Sequence, residues 1–433
     1  MPVAIVAFLI LVASQVAPDC ADVAACRAAA LEAAARTDYE AFHDLAWRTV
    51  QKGRPNDPQL MTMLARAQSL SGRPGDALVM LRRLAQMGVV TDAATSDDFR
   101  RVRALSGWAD FEATLKSAAP ASDAPVAERA SPPEATAKSP ARAVDPPKTA
   151  AVVATAKTPA KPALVEEPLP STLASVIPAG LVYDAVSRRF IIGNRNENNL
   201  IVYDDVFKRA TNMVGAESAG FYGLSAIEID TQRGDLWVAN SSVARGATLH
   251  KLQLVSGRVL FELPLPGDLG PATLVDAAVR TDGQVLLLDS QGRRLLAVSP
   301  AHRAVERVMS IDVEAPVSLA LSNGKFAFVA HREGLLRVDL STRTAVRVRS
   351  APTGLIRIRT AGKSLVAVQA GEKGLRLVRL RLDAAAATIA RLDVIDSAAA
   401  MPDPSGITVA NGFVYYLTET GGAAAIRRVR AAK

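Results

Sequence analysis

The chain has 433 residues, 49% hydrophobic and 22% charged, with 51 Lys and Arg against 43 Asp and Glu and a formal net charge of +8. That length exceeds one ordinary domain, and the composition excludes a wholly disordered or fibrous protein. Only two cysteines are present, which excludes a disulfide-built scaffold or a Cys-rich metal protein.

Val3 to Val16 (VAIVAFLILVASQV) is an apolar run. It is shorter than the roughly 20 residues a membrane-spanning helix needs, and small residues follow it. Residues 1–17 are therefore read as a signal peptide, although Met1-Pro2 carries no Lys or Arg. An uncleaved anchor or a misplaced start codon is the alternative, and Pro18-Asp19 ahead of Cys20 speak against a lipid anchor. Export to the periplasm or beyond, with no transmembrane span left after cleavage, would put Cys20 and Cys26 where disulfides persist. Their separation along one helix would be about 9 Å by rise alone, beyond the roughly 7 Å a bridge tolerates. A bond thus requires Cys20 to lie in the turn before a helix that holds Cys26; two separate thiols are the other reading. His43 stands too isolated for a zinc site.

Residues 20–116 are Ala-rich, and Leu31, Phe42, Leu45, Trp47, Leu60, Leu64, Leu78, Leu81 and Leu84 recur at helical spacing. A 36-residue offset aligns Ala29 with Ala65, Ala41 with Ala77 and Leu45 with Leu81. The stretch NDPQLMTMLARAQSLSGRPGDALVMLRRLAQMG resembles a tetratricopeptide (TPR) repeat through Met61, Leu64, Ala65, Gly72, Ala77 and Leu81, departing at Gln68 and Leu84. Phe99, Val102, Leu105, Trp108, Phe111 and Leu115 resemble the face of a capping helix. The resemblance implies a concave surface for a protein or peptide; a plain helical bundle is the bland alternative.

Of residues 117–170, 16 are Ala and 11 are Pro, with no aromatic. Such a segment cannot bury enough surface to offset its ordering entropy and reads as a disordered linker leaving its flanking domains free to reorient.

From 171 to 433 one phrase repeats: apolar strand, polar turn, apolar strand. It occurs as GLVYDAVSRRFIIGN, LSAIEIDTQRGDLWVAN, LVDAAVRTDGQVLLLDS, VSLALSNGKFAFVAH, LIRIRTAGKSLVAVQ and SGITVANGFVYYLTE. Six phrases over this length, with further strands between them, predict a six-bladed β-propeller of four strands per blade. AAIRRVRA would be the third strand of the last blade, and TLASVIP, after the linker, the fourth that closes the ring. The fold class is thus multidomain: an all-α TPR-like repeat followed by an all-β propeller.

The phrases resemble the NHL and gluconolactonase/regucalcin-like six-bladed propellers. That resemblance implies, for lactonase members, a divalent cation at the pore held by a Glu in a Pro-Glu-Gly-like phrase. Here the comparable phrase is Pro178-Ala179-Gly180, without the carboxylate, which argues against the lactonase mechanism. Neither cofactor nor metal is expected, and no nucleophile or phosphate-loop motif occurs.

The last residue of the second strand in each phrase is polar: Asn194, Asn240, Asp289, His331, Gln369, and Thr418 with Glu419. These residues should ring one mouth of the central channel as ligand-binding groups, or serve as ordinary turn formers. The charge excess lies in 171–433, where 32 Lys and Arg face 24 Asp and Glu. Arg347 and Arg349, Arg357 and Arg359, and Arg379 and Arg381 alternate with apolar residues, suggesting a patch for an anionic partner or a solvated surface. The expectation is an exported binding or scaffold protein with a protein or peptide partner, or an anionic envelope polymer; nucleic acid is disfavoured by export. The alternative is a divergent propeller hydrolase or lactonase with its site at the channel mouth.

Overall fold

The computed structural model describes residues 20–118 and 165–431, apart from 300–303, 323–324, 373 and 398–399. The expected signal peptide, 1–17, and most of the linker lie outside the described residues.

Acidic caps start the first three helices. Asp22 accepts from the Ala25 amide ahead of α1 (Val23–Ala35), and Asp38 from Ala41 ahead of α2 (Tyr39–Lys52). Asp57 accepts from Gln59 and Leu60 at the start of α3 (Pro58–Leu70), where Pro58 loses no helical hydrogen bond. Gly72, at φ +82°, turns the chain into α4 (Pro74–Gln86). Two short helices follow, α5 (Arg100–Arg103) and α6 (Trp108–Ala118). Cys20 lies before α1 and is bonded to Cys26 within it, with Cα atoms 5.0 Å apart. Phe42, Leu45, Leu64, Ala65, Ala77, Leu81, Leu84 and Phe99 are buried between the helices.

The remainder is a six-bladed propeller, each blade a four-stranded sheet. The inner strands are Pro178–Asp184, Leu224–Asp230, Leu274–Val279, Ser318–Ser322, Leu355–Ala361 and Ile407–Ala410, for blades 1 to 6 in that order. Five blade turns share one device. Asp184, Asp204, Asp230, Asp289 and Asp339 each accept hydrogen bonds from backbone amides two to three residues on. The left-handed position that follows is filled by Arg188, Lys208, Gly234, Arg293 and Arg343, respectively. The carboxylate satisfies the turn amides, so glycine is needed at only one of the five.

The ring closes differently from the sequence expectation. Ala423–Arg430 is the third strand of blade 6, but its outer neighbour is Val165–Pro168, from the segment read as linker. TLASVIP instead holds a 3₁₀ turn, Ser171–Leu173, and leads into blade 1. The closing strand has two Glu and a Pro, and polar side chains hold it. Arg427 Nε lies 2.7 Å from Glu166, while Glu167 meets Lys208 Nζ at 2.7 Å and the Tyr203 hydroxyl. An alternating apolar pattern was never required there.

The expectation of freely reorienting domains is also overturned, because the helices are docked on blades 1 and 2. The Trp47 indole N–H donates to Thr231 O at 3.1 Å, and its ring lies against Gly234, where a Cβ would stand 3.0 Å away. From α4, Asp76 accepts from the Ser256 amide at 2.9 Å, and Arg83 donates to Ser187 O and pairs with Asp204 at 3.3 Å. One apolar cluster runs from Phe42 and Trp47 through Met80 and Leu84 to Val202, Val214 and Val255. Linker composition speaks only of the linker; this interface is set by single residues scattered along both domains. Trp47→Ala should cost about 3–5 kcal/mol and expose the junction to limited proteolysis; unchanged Tm and cleavage would show that the docking does not depend on Trp47.

Candidate functional site

The propeller's channel is knotted by one carboxylate. Asp276, on the inner strand of blade 3, is wholly buried. Its Oδ2 accepts from Ser318 Oγ at 2.6 Å, the Leu319 amide at 2.9 Å and Arg359 Nη1 at 3.0 Å. Its Oδ1 lies 3.2 Å from Arg357 Nη2 and accepts from Arg359 Nη2 at 3.3 Å. Burial alone would raise this carboxyl, but the Arg357 and Arg359 charges, with hydrogen bonds from Arg359 and Ser318, hold it below the usual carboxylate range. Burial pulls Arg357 down to about 10, although Asp276 opposes the shift.

Glu228, on the inner strand of blade 2, has the opposite fate. Burial pushes its carboxyl up to about 7; the Arg359 charge opposes this and the Asp276 charge adds to it. Its own strand supplies one hydrogen bond, from the Ile229 amide at 3.3 Å. The channel thus holds a carboxyl that exchanges its proton near neutrality, a property concentrated at functional sites.

Where the inner strands begin, a cavity of about 530 Å³ opens over the channel. Arg357 lines it together with Arg195, Ser225, Ser241, Thr273 and Ser405. Arg195 is tied to Asp403 at 3.0 Å and to Ser405 Oγ at 3.2 Å, while Arg357 donates to Val275 O at 3.3 Å and leaves its Nε without a hydrogen-bond partner. Hydroxyls and guanidiniums ringing a concave mouth suit an oxygen-rich ligand. The lining includes no His or Cys. Among the described residues, no three His, Cys, Asp or Glu side chains are grouped to hold a metal ion.

The six strand-end residues stand beside this cavity rather than in its lining. Asn194, Asn240, Asp289, His331 and Gln369 are buried, and their side chains serve nearby backbone. Asp289 accepts from the Thr273 amide at 2.9 Å, Asn240 from Tyr222 at 3.3 Å and Asn194 from Asn196 at 3.1 Å. Gln369 donates to Thr353 O at 2.7 Å, and His331 Nδ1 accepts from the Glu333 amide at 3.4 Å. Burial and the Arg347 charge lower the His331 imidazole, against an opposing effect of Glu333. Glu419 is exposed. Two lining residues, Arg195 and Ser241, immediately follow Asn194 and Asn240; successive strand positions face opposite ways, so the informative residue was one step further along.

The six arginines are not brought together. Arg347 is exposed on the outer strand of blade 4, 3.4 Å from Glu333, and Arg349 is exposed just beyond it. Arg357 and Arg359 are inside the channel. On the third strand of blade 5, Arg379 donates to Arg430 O at 3.2 Å and Arg381 pairs with Asp393 at 3.0 Å. Strand number within a blade decides whether an arginine faces the axis or the rim, and period-2 spacing carries no such information. The channel carboxylates Asp276 and Glu228 escaped the sequence reading as site residues, and Arg357 reads there as part of a surface patch rather than of the channel; the signal available was charge on strands that otherwise read as apolar.

No protein-family model matches the chain, and no curated protein matches it in sequence. Solved structures similar to it include virginiamycin B lyase from Staphylococcus aureus, at 10% identity and TM-score 0.43, over 62% of this chain and 99% of that one. Another is the PQQ-bound form of aldose sugar dehydrogenase from Streptomyces coelicolor, at 11% identity and TM-score 0.41, over 62% and 98%. Likeness at this level carries no information on substrate or reaction.

The proton on Glu228 makes a titration prediction. Its folded-state value lies above the ordinary 4.5, so folding favours the neutral form. That contribution is present below pH about 4.5 and is lost as pH rises through about 7. Glu228→Gln should therefore gain stability relative to the wild type across that window and stay ahead above it. A Tm difference between the two proteins that does not change with pH would contradict the raised value.

Proposed function

We propose that the chain is an exported binding protein, in which a TPR-like helical unit grips a protein or peptide and an NHL-like propeller takes a second ligand at its channel mouth. The observation that carries this reading is the division of labour among the helices. α2 and α4 supply Trp47, Asp76 and Arg83 to the propeller, while α1 and α3 border a groove of about 850 Å³. Its apolar floor includes Val23, Ala28 and Leu31, the last 52% exposed, and its rim carries Arg27, Lys52 and Arg54 against Asp57. An apolar floor with a basic rim suits an acidic amphipathic peptide. The departure from the TPR pattern at Gln68 does not touch the groove, since that residue is buried in the helical core.

Export is supported by the apolar run Val3–Val16 and by the Cys20–Cys26 bond, which suits a periplasmic or extracellular compartment. The exposed Arg347 and Arg349 are the positions left for an anionic envelope polymer. The groove reading is tested by fluorescence polarisation with acidic amphipathic peptides and their basic counterparts. The acidic set should bind, and the double variant Arg27→Glu/Leu31→Asp should weaken it by about tenfold or more. Equal binding of both sets, or none by either, would end this reading.

The second reading, a divergent hydrolase or lactonase, is favoured by Glu228 alone, a carboxyl able to give or take a proton near neutrality. Titration with calcium or zinc separates the two. The binding reading expects no change in Tm, whereas a stoichiometric ion with a clear rise in Tm would favour the hydrolase.

A further inference from the structure

Where α4 meets blades 1 and 2 there is a second cavity, of about 600 Å³, separate from the channel mouth and from the α1–α3 groove. Four arginines line it, Arg82, Arg83, Arg189 and Arg209, against a single carboxylate, Asp204. That carboxylate is already committed. Its Oδ1 accepts from the Val206 and Phe207 amides at 2.8 and 2.9 Å, and Oδ2 lies 3.3 Å from Arg83. Arg82 donates to Gly107 O at 2.8 Å, and Arg189 spends its Nη groups on the Leu254 and Val255 carbonyls and on Asp184 at 3.5 Å, a buried carboxylate outside the lining. The Nε atoms of Arg83 and Arg189 are buried without a hydrogen-bond partner among the described residues, in side chains only 8% and 9% exposed. The Arg209 side chain makes no hydrogen bond or ion pair among the described residues and stands at the exposed edge. Val79, Met80, Val202, Val255 and Phe207 supply the cavity's apolar lining, with the Arg83 guanidinium over the Phe207 ring at 5.8 Å.

Four guanidiniums facing Asp204 and backed by Asp184, two carboxylates already spent on turn amides and ion pairs, form a site short of negative charge. We propose that the junction cavity binds a small organic anion, with its phosphate or carboxylate head among Arg83, Arg189 and Arg209 and an apolar body against Met80 and Phe207. The volume suits a ligand of that size, and domain junctions are favoured places for such sites. Because the walls come from α4 and from blades 1 and 2, the bound anion would bridge helices and propeller by the same guanidiniums that dock them.

Calorimetric titration of the full chain tests this with phenyl phosphate, compared with inorganic phosphate (head without body) and phenol (body without head). Phenyl phosphate should bind saturably with one molecule per chain, at least about tenfold tighter than either fragment. Arg209→Glu, at an exposed and unpaired position, should leave Tm and far-UV circular dichroism unchanged and weaken binding by about tenfold or more. Phe207→Ala should weaken phenyl phosphate and leave inorganic phosphate unaffected. Three results would overturn the proposal: no saturable binding, binding indifferent to Arg209→Glu, or an equal loss in Arg349→Glu, which lies on blade 4 and changes only net charge. Loss of binding with an unchanged fold in Arg209→Glu, beside full binding in Arg349→Glu, supports it.

Discussion

Asp276 is the point on which the channel depends. It accepts from Ser318 and Leu319 on blade 4 and from Arg359 on blade 5, and pairs with Arg357 on blade 5, so one carboxylate joins three consecutive blades at the axis. Two guanidiniums and a carboxylate buried together are costly to desolvate, and removing the carboxylate alone would strand two cations. The knot also sets the state of its neighbours. It holds Arg357 at the base of the mouth cavity and engages Arg359, while its own charge adds to the burial that pushes Glu228 up to about 7.

A second constraint acts at the other end of the molecule's organisation. The helices are seated on blades 1 and 2 by a tryptophan against a glycine turn, a buried aspartate on a backbone amide and an arginine on a carbonyl. Loop-closure entropy grows only slowly with length, so a long Ala- and Pro-rich connection between the domains costs such docking little more than a short one. The docking uses one face of the helical unit and builds a basic cavity at the seam, while the groove between α1 and α3 stays open. The channel mouth, the junction cavity and the α1–α3 groove are therefore three separate concave surfaces, each with its own chemistry.

Much of the architecture was legible because it repeats. Six copies of a strand-turn-strand phrase reveal a propeller, since a buried strand, a polar turn and a second buried strand are local requirements of every blade, and Asp-led turns recur on blades 1 to 4. The two helical pairs are visible for the same reason, through Ala65, Ala77, Leu45 and Leu81 at matching positions. The closing strand Val165–Pro168 was not legible. It sits at a blade's outer edge, where Glu166 and Glu167 are held by Arg427, Lys208 and Tyr203 rather than by an apolar face. The ring of strand-end polar residues was legible as a ring but not in its purpose, because a side chain that caps its own blade and one that faces the mouth are adjacent in sequence.

By itself, then, the amino-acid sequence determined the local terms: where helices begin, how blades turn, how many blades there are, and that the excess positive charge belongs to the propeller. The tertiary structure alone decided which charges meet. Arg357 and Arg359 were indistinguishable from Arg379 and Arg381 by spacing, yet the first pair is at the axis against Asp276 and the second out along its blade. Asp276 lies some eighty residues from Arg357 and Arg359, and Arg83 and Asp204 are farther apart still. Electrostatic partners are chosen by distance in space and by the local dielectric, and neither exists until the ring has closed and the helices have docked.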